Sequence, residues 1–203
     1  MCENVNKSFG RRLVFKNINL LYKDSGVYGI SGRNGSGKST LVKIIAGLIA
    51  PSKGRITHSK QDKKIESEEL HNHIGFVSPY LVLYDEFTAE ENLSYFAKIR
   101  GTDYNKEKVD SLLNEFLLYD RRNDLVKGYS SGMKQRLKFI FALMHSPDLL
   151  ILDEPTSNLD STGKDSVYKI IENESASSII VVASNEENDL DLCKERIQLE
   201  QFK

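Results

Sequence analysis

The sequence predicts an α/β fold in which a parallel-sheet core is interrupted by a helical insertion, and three observations carry that expectation. A glycine-rich loop stands between a short apolar run, "VYGI", and an amphipathic segment, "STLVKIIAGLI". Late in the chain, "LLIL" and "SSIIVVAS" are near-continuous apolar runs, the pattern of strands buried on both faces of a parallel sheet. Between these two regions, from Glu90 to about Phe141, the apolar positions follow a helical period. Layering helices on a sheet satisfies that order of elements.

Taken in order, "LVFKNINLLY" alternates apolar and polar residues around Phe15, Ile18 and Leu20, which predicts a strand. "GVYGI" predicts a second, buried strand, followed by the glycine loop and its helix. After "PSKGRI", the polar stretch "THSKQDKKIESEELHN" reads as a hairpin tip with solvated ends, carrying His58, His71 and His73. His71 and His73 are spaced i, i+2 with no third ligand, so these are expected to be exposed loop histidines without a metal. In the helical region Val109, Leu112, Leu113, Phe116 and Leu117 recur at the spacing of one buried stripe. "GYSSGMKQRL" empties a turn of small residues into a basic helix. Its simplest reading is a helix capped by Ser130 or Ser131 with Lys134 and Arg136 on a solvated face, but unpartnered N–H groups at such a helix start also suit an anion. No repeat, low-complexity tract or linker marks a second domain.

The 203 residues, 39% hydrophobic, suffice for one sizeable core. Lys plus Arg total 28 against 29 Asp plus Glu, so no basic field draws the chain to nucleic acid, and none is expected as a partner. Cys2 and Cys193 match no metal-ligand spacing and no disulfide framework, which fits a reducing cytosol. No apolar run approaches the ~18 residues needed to cross a bilayer, and "MCENVNKSFGRR" lacks the apolar stretch of a secretory signal, so the chain is expected to be soluble and cytoplasmic.

"GRNGSGKST" fits G-x-x-x-x-G-K-[ST] in the required strand-loop-helix context. Gly32, Arg33, Asn34, Gly35, Ser36 and Gly37 form the loop, whose glycines let backbone N–H groups converge on a phosphate. Lys38 reaches the β and γ phosphates, the Ser39 hydroxyl suits Mg²⁺, and Thr40 adds a donor near the α phosphate. A nucleoside triphosphate is the expected ligand. "LLILDEPTSNLD" places Asp153 and Glu154 at the end of a buried strand, where ligands of parallel sheets sit. Asp153 is expected to hold Mg²⁺ through its water shell, and Glu154 to orient or deprotonate a water attacking the γ phosphate.

Together, the phosphate loop, "YSSGM" at residues 129–133, "LLILDEP" and "SNLD" resemble the nucleotide-binding subunit of an ABC transporter over nearly the whole chain, closest to short exporter cassettes of the haem-exporter or ABC-2 kind. The resemblance implies a P-loop NTPase core of RecA type, an antiparallel β subdomain and an inserted helical subdomain. These would form one ATPase domain over 1–203, with a core lobe at about 1–84 and 146–203 and a helical subdomain at about 85–145. It implies ATP and Mg²⁺ as cofactors, a second nucleotide-binding subunit in a head-to-tail homo- or heterodimer, and a separate membrane permease holding the chain peripherally on the cytoplasmic face. It assigns Ser130, Ser131, Gly132 and Met133 to the γ phosphate held by the opposite subunit and Asp160 to the loop after the acidic pair. Phe9 falls where the family places an aromatic against adenine, and equally suits the β-subdomain core. Tyr80, Leu83, Tyr84 and Phe87 suit either a groove for the permease or the helical core.

Three positions depart from the family pattern. Pro79 stands where a glutamine senses Mg²⁺ and the attacking water, and proline has neither a side-chain amide nor a backbone N–H. Asn185 replaces a histidine at the γ phosphate, and an amide donates a hydrogen bond but carries no proton. Ser131 stands at the first signature glycine, a change the family tolerates. The expectation is ATP-dependent dimerisation with slow turnover, Asn185 serving with Glu154 and Lys38 at the reacting phosphate. A soluble ABC-type ATPase and a weakly hydrolysing ATP-dependent regulatory module remain as alternatives.

Overall fold

The computed structural model describes residues 1–203. Strands β1 (Cys2–Phe9) and β2 (Arg12–Leu20) form a hairpin, and β4 (Lys53–Ile56) pairs antiparallel with the other edge of β1. The alternation seen in the sequence places Val5, Phe15, Ile18 and Leu20 inside. Strands β3 (Gly26–Ser31), β7 (Ile74–Val77), β8 (Leu149–Asp153), β9 (Ile179–Ser184) and β10 (Glu195–Gln198) make a parallel sheet in the order β10-β3-β9-β8-β7. Helix α1 (Lys38–Ile45) follows β3. The small hairpin β5 (Ser59–Lys60) and β6 (Lys63–Lys64) and the single turn α2 (Leu70–His73) lead into β7. Helices α3 (Ala89–Arg100), α4 (Lys106–Glu115) and α5 (Ser131–Leu143) intervene before β8; α6 (Ser161–Glu174) and α7 (Glu187–Leu190) flank β9.

The apolar runs serve two cores at once. Leu150, Leu152, Ile180 and Val182 face the helical core built on Leu93, Leu113, Phe116 and Phe139, while Ile151, Val181 and Ala183 face α1 and the antiparallel sheet. Successive side chains of a strand point to opposite faces, so a strand covered on both sides must be apolar throughout. Burying each such side chain contributes about 1.5–3 kcal/mol. Helix α5 lies so close on β7 that a Cβ at Gly75 would meet the Ala142 carbonyl oxygen at 2.3 Å.

Two expectations are corrected. Leu117 is not part of the buried stripe: α4 ends at Glu115, Leu117 takes a left-handed φ of +56° and is 59% exposed, and Leu118 packs inward instead. The helical period holds only while the helix does. Nor are His71 and His73 both exposed loop residues. His71 is exposed, but the β5–β6 hairpin folds back over the end of the parallel sheet. There His58 Nε2 lies 2.8 Å from the Ile45 oxygen and His73 Nδ1 lies 2.7 Å from Asp148, which also takes Lys60 at 2.8 Å. Burial pushes the pKa of His58 down.

Candidate functional site

The site forms at the C-terminal ends of β3 and β8. The loop leaving β3 turns into α1 through Gly37, whose φ of +111° and a Cβ position 2.5 Å from Val14 Cγ1 admit only glycine. Lys38 opens α1 and is almost fully buried; its Nζ donates to the Gly32 oxygen at 2.7 Å and lies 3.2 Å from Glu154 Oε1. Ser39 donates from Oγ to Asp153 Oδ1 at 3.0 Å. The two motifs, more than a hundred residues apart in sequence, therefore meet side chain to side chain.

Asp153 is fully buried, and burial raises its pKa while the Ser39 hydrogen bond opposes the rise. Its Oδ2 is buried with no hydrogen-bond partner, as is Ser36 Oγ. A buried carboxylate oxygen left unpaired is costly, and a hard oxygen pair from Ser39 and Asp153 matches the preference of Mg²⁺ for oxygen with retained waters. Glu154 sits in the left-handed region at φ +49°, its N–H donating to the Ala183 oxygen at 2.8 Å, a conformation uncommon outside glycine and held here by the sheet. Behind the loop, Arg33 N–H donates to Glu200 Oε1 at 2.6 Å.

The loop from Arg33 to Thr40 lines an open cavity of about 600 Å³ together with Phe9, Arg12, Pro79, Tyr80 and Glu154. Phe9 is 56% exposed at the end of β1 with the Lys7 amine 4.8 Å from its ring centre, so it is not a core residue and presents a face to the cavity. A glycine-rich loop, a buried ammonium and a helix N-terminus suit a polyphosphate.

Other predicted residues lie outside this cavity. Ser130 caps α5, its Oγ accepting from Met133 N–H at 3.2 Å, and Ser131, Gly132 and Met133 form the exposed to half-buried first turn. Lys134 pairs with Asp85 at 2.7 Å. Arg136 does not lie on a solvated face: it donates to the Phe116 oxygen at 3.0 Å and closes the end of α4. Asp160 caps α6, accepting from Gly163 N–H at 2.8 Å. Asn185 is exposed just beyond β9 and makes no side-chain hydrogen bond. Tyr80, Tyr84 and Phe87 are exposed while Leu83 is core, and the rings of Tyr84, Phe87 and Tyr95 cluster at 5.5–6.2 Å.

Sequence reasoning missed several connections. Gln135 is buried and donates to the Pro155 oxygen at 2.9 Å, tying α5 to the turn after Glu154. Lys138, buried on the same helix, donates to the Pro79 oxygen at 2.9 Å and the Ser78 oxygen at 3.3 Å. A lysine inside the apolar run "RLKFIFALM" was the visible signal. Ser184, which reaches Glu154 from the end of β9, and Asp189, which binds Ser184 from α7, left no such signal.

The family profile described as ABC transporter matches residues 15–157. The chain is similar to the linearmycin resistance ATP-binding protein LnrL of Bacillus subtilis, 32% identical over 94% of this chain and 63% of the relative. It is similar also to the bacitracin transport ATP-binding protein BcrA of Bacillus licheniformis, 36% identical over 83% of this chain and 55% of the relative. It thus spans between half and two thirds of the length of these two relatives. A solved structure described as a dimeric bacterial ABC transporter cassette superposes with a TM-score of 0.81 at 25% identity, covering 98% of this chain and 94% of that one.

Proposed function

The chain belongs to the ABC transporter family, and from that premise we propose that it is an ATP-binding and hydrolysing subunit powering a transporter of the exporter kind, whose membrane-crossing part is a separate polypeptide. The observation that carries the reading is the meeting of Lys38 with Glu154 and of Ser39 with the buried Asp153 at one cavity. The relatives' functions, linearmycin resistance and bacitracin transport, favour export.

In this reading the loop from Gly32 to Gly37 and Thr40 hold the triphosphate by N–H and hydroxyl donors, and Phe9 stacks on the base. Lys38 exchanges its bond to the Gly32 oxygen for phosphate oxygens. Ser39 and Asp153, the latter through water, would hold Mg²⁺, which when bound neutralises charge on the β and γ phosphates. Glu154 accepts the proton of the attacking water. Ser130, Ser131, Gly132 and Met133 close on the γ phosphate of a second subunit, with Asp160 beside the interface, so ATP joins two chains. Pro79 and Asn185 leave the γ phosphate held on the chain's own loop with altered side-chain sensors, which slows turnover rather than binding.

We place residues 85–145 as a helical subdomain on a core of 1–84 and 146–203, and take the exposed aromatic cluster at Tyr84, Phe87 and Tyr95 as the permease contact. No helix is long and apolar enough to cross a membrane, and the chain is placed on the cytoplasmic face through its permease. Comparing ATPase rates of wild type, Glu154→Gln and Asn185→His tests the reading. Glu154→Gln is expected to bind ATP and lose turnover, and Asn185→His to turn over faster. A Glu154→Gln protein as fast as wild type overturns the assignment of the base.

A further inference from the structure

We propose that Asp189 is the positioning residue that fixes Glu154 for hydrolysis, acting through the Ser184 hydroxyl; the proposal rests on reading Glu154 as the water-activating carboxylate.

Asp189 is 2% exposed, at the C-terminal half of the short helix after β9, and it accepts three hydroxyl hydrogen bonds. Thr156 and Tyr168 donate to Oδ1 at 2.7 and 3.0 Å, and Ser184 donates to Oδ2 at 2.6 Å. Ser184, fully buried, also lies 3.3 Å from Glu154 Oε2 and accepts from Glu186 N–H at 3.1 Å. A carboxylate taken out of water is tolerated only when its lone pairs are engaged, and here they are engaged by groups on three elements. Thr156 belongs to the turn two residues past Glu154, Ser184 ends β9 directly beside it, and Tyr168 comes from α6. Asp189 therefore holds Glu154 from two sides, through the backbone turn that carries it and through the hydroxyl that touches it.

The arrangement matters most once nucleotide is bound. The side chain of Glu154 has two partners, Lys38 at 3.2 Å and Ser184 at 3.3 Å. When phosphate oxygens draw Lys38 away, Ser184 is the neighbour that remains, and Asp189 sets its rotamer by accepting its hydroxyl at 2.6 Å. Asn185, next in the chain, is exposed and tied to nothing, so orientation of the base falls to residues behind it rather than to the position where the family carries a histidine. A misplaced base loses rate without losing substrate affinity.

The test measures kcat and KM for MgATP, binding of a fluorescent ATP analogue and thermal stability in wild type, Asp189→Asn, Ser184→Ala, the double variant and Glu154→Gln. Asp189→Asn is nearly isosteric, and Ser184→Ala removes the link from the other end. Each single variant is expected to lower kcat by about tenfold to a hundredfold with KM and analogue binding unchanged, and the double variant to lose no more than the worse single one. Each is also expected to accumulate the ATP-bound dimer. A drop in melting temperature with kcat intact, or fully additive losses, overturns the anchor and leaves Asp189 a packing residue. Wild-type turnover no higher than that of Glu154→Gln overturns the reading of Glu154, and the anchor with it. Turnover that Glu154→Gln abolishes and Asp189→Asn preserves overturns the anchor alone.

Discussion

Ser130 has one observed job and one proposed job, and a single substitution separates them. Its hydroxyl caps α5 by accepting from Met133 N–H at 3.2 Å, while the proposed function gives it a phosphate from a second subunit. Ser130→Ala removes both; losing such a cap costs about 1 kcal/mol, roughly 2–4 °C of melting temperature for a chain of this size. Ser130→Asp keeps the cap, because aspartate serves the N-cap position as well as serine and is favoured by the helix dipole, so its melting temperature should match wild type. The same carboxylate meets a γ phosphate head on. Two unit charges about 4 Å apart at an effective dielectric of about 20 repel by about 4 kcal/mol, roughly a thousandfold in dimerisation constant. Light scattering of size-separated protein with ATP, in a Glu154→Gln background that arrests turnover, reads the dimer; a fluorescent ATP analogue reads monomer affinity. Wild-type dimerisation by Ser130→Asp refutes the placement of an anion at this helix start. Weakened analogue binding by the monomer shows that Ser130 acts within its own subunit.

Gly37→Ala should fold less stably and lose ATP affinity by at least tenfold, because the new methyl collides with Val14 and a φ of +111° suits no other residue; unaltered binding by calorimetry contradicts the loop geometry. Burial raises the thiols of Cys2 and Cys193 to about 11, so at pH 8 a thiol reagent should label the native chain slowly and the denatured chain fast. Rapid native labelling would contradict their burial. His145 is pushed down to about 4, first by burial and then by Arg100, whose guanidinium donates to its Nε2 at 2.9 Å. The unfolded histidine takes up its proton near pH 6.5, so stability should fall as pH drops from about 6.5 towards 4, and less steeply in His145→Gln; parallel slopes in urea titrations would count against this.

The binding loop and the acidic pair were legible because each is a local device. A phosphate cradle needs glycines, a lysine and a hydroxyl within nine residues, and a strand end followed by two carboxylates needs only a short run. The near-continuous apolar strands were legible for a related reason, since burial on both faces leaves no polar position. Where a residue's neighbours come from elsewhere in the chain, the pattern was silent or misleading. Leu117 fits the stripe by spacing and turns to solvent because α4 has already stopped. Arg136 looks like part of a solvated basic face and instead donates to the Phe116 oxygen at the end of α4, while Lys138, a lysine within an apolar run, turns inward to the oxygens of Ser78 and Pro79. Phe9 was ambiguous by composition, and exposure decided that it is not core.

By itself the sequence determined the α/β class, the phosphate-binding chemistry and the family resemblance, all of which depend on the order and spacing of residues along the chain. Only the tertiary structure decided which carboxylate oxygen stays unpaired, how Lys38 meets Glu154, and that Ser184 stands between Glu154 and Asp189. The physical reason is range. A motif is written by backbone geometry over a few residues, whereas the orientation of a buried side chain is set by hydrogen bonds and contacts from strands and helices that only folding brings within 3 Å of one another.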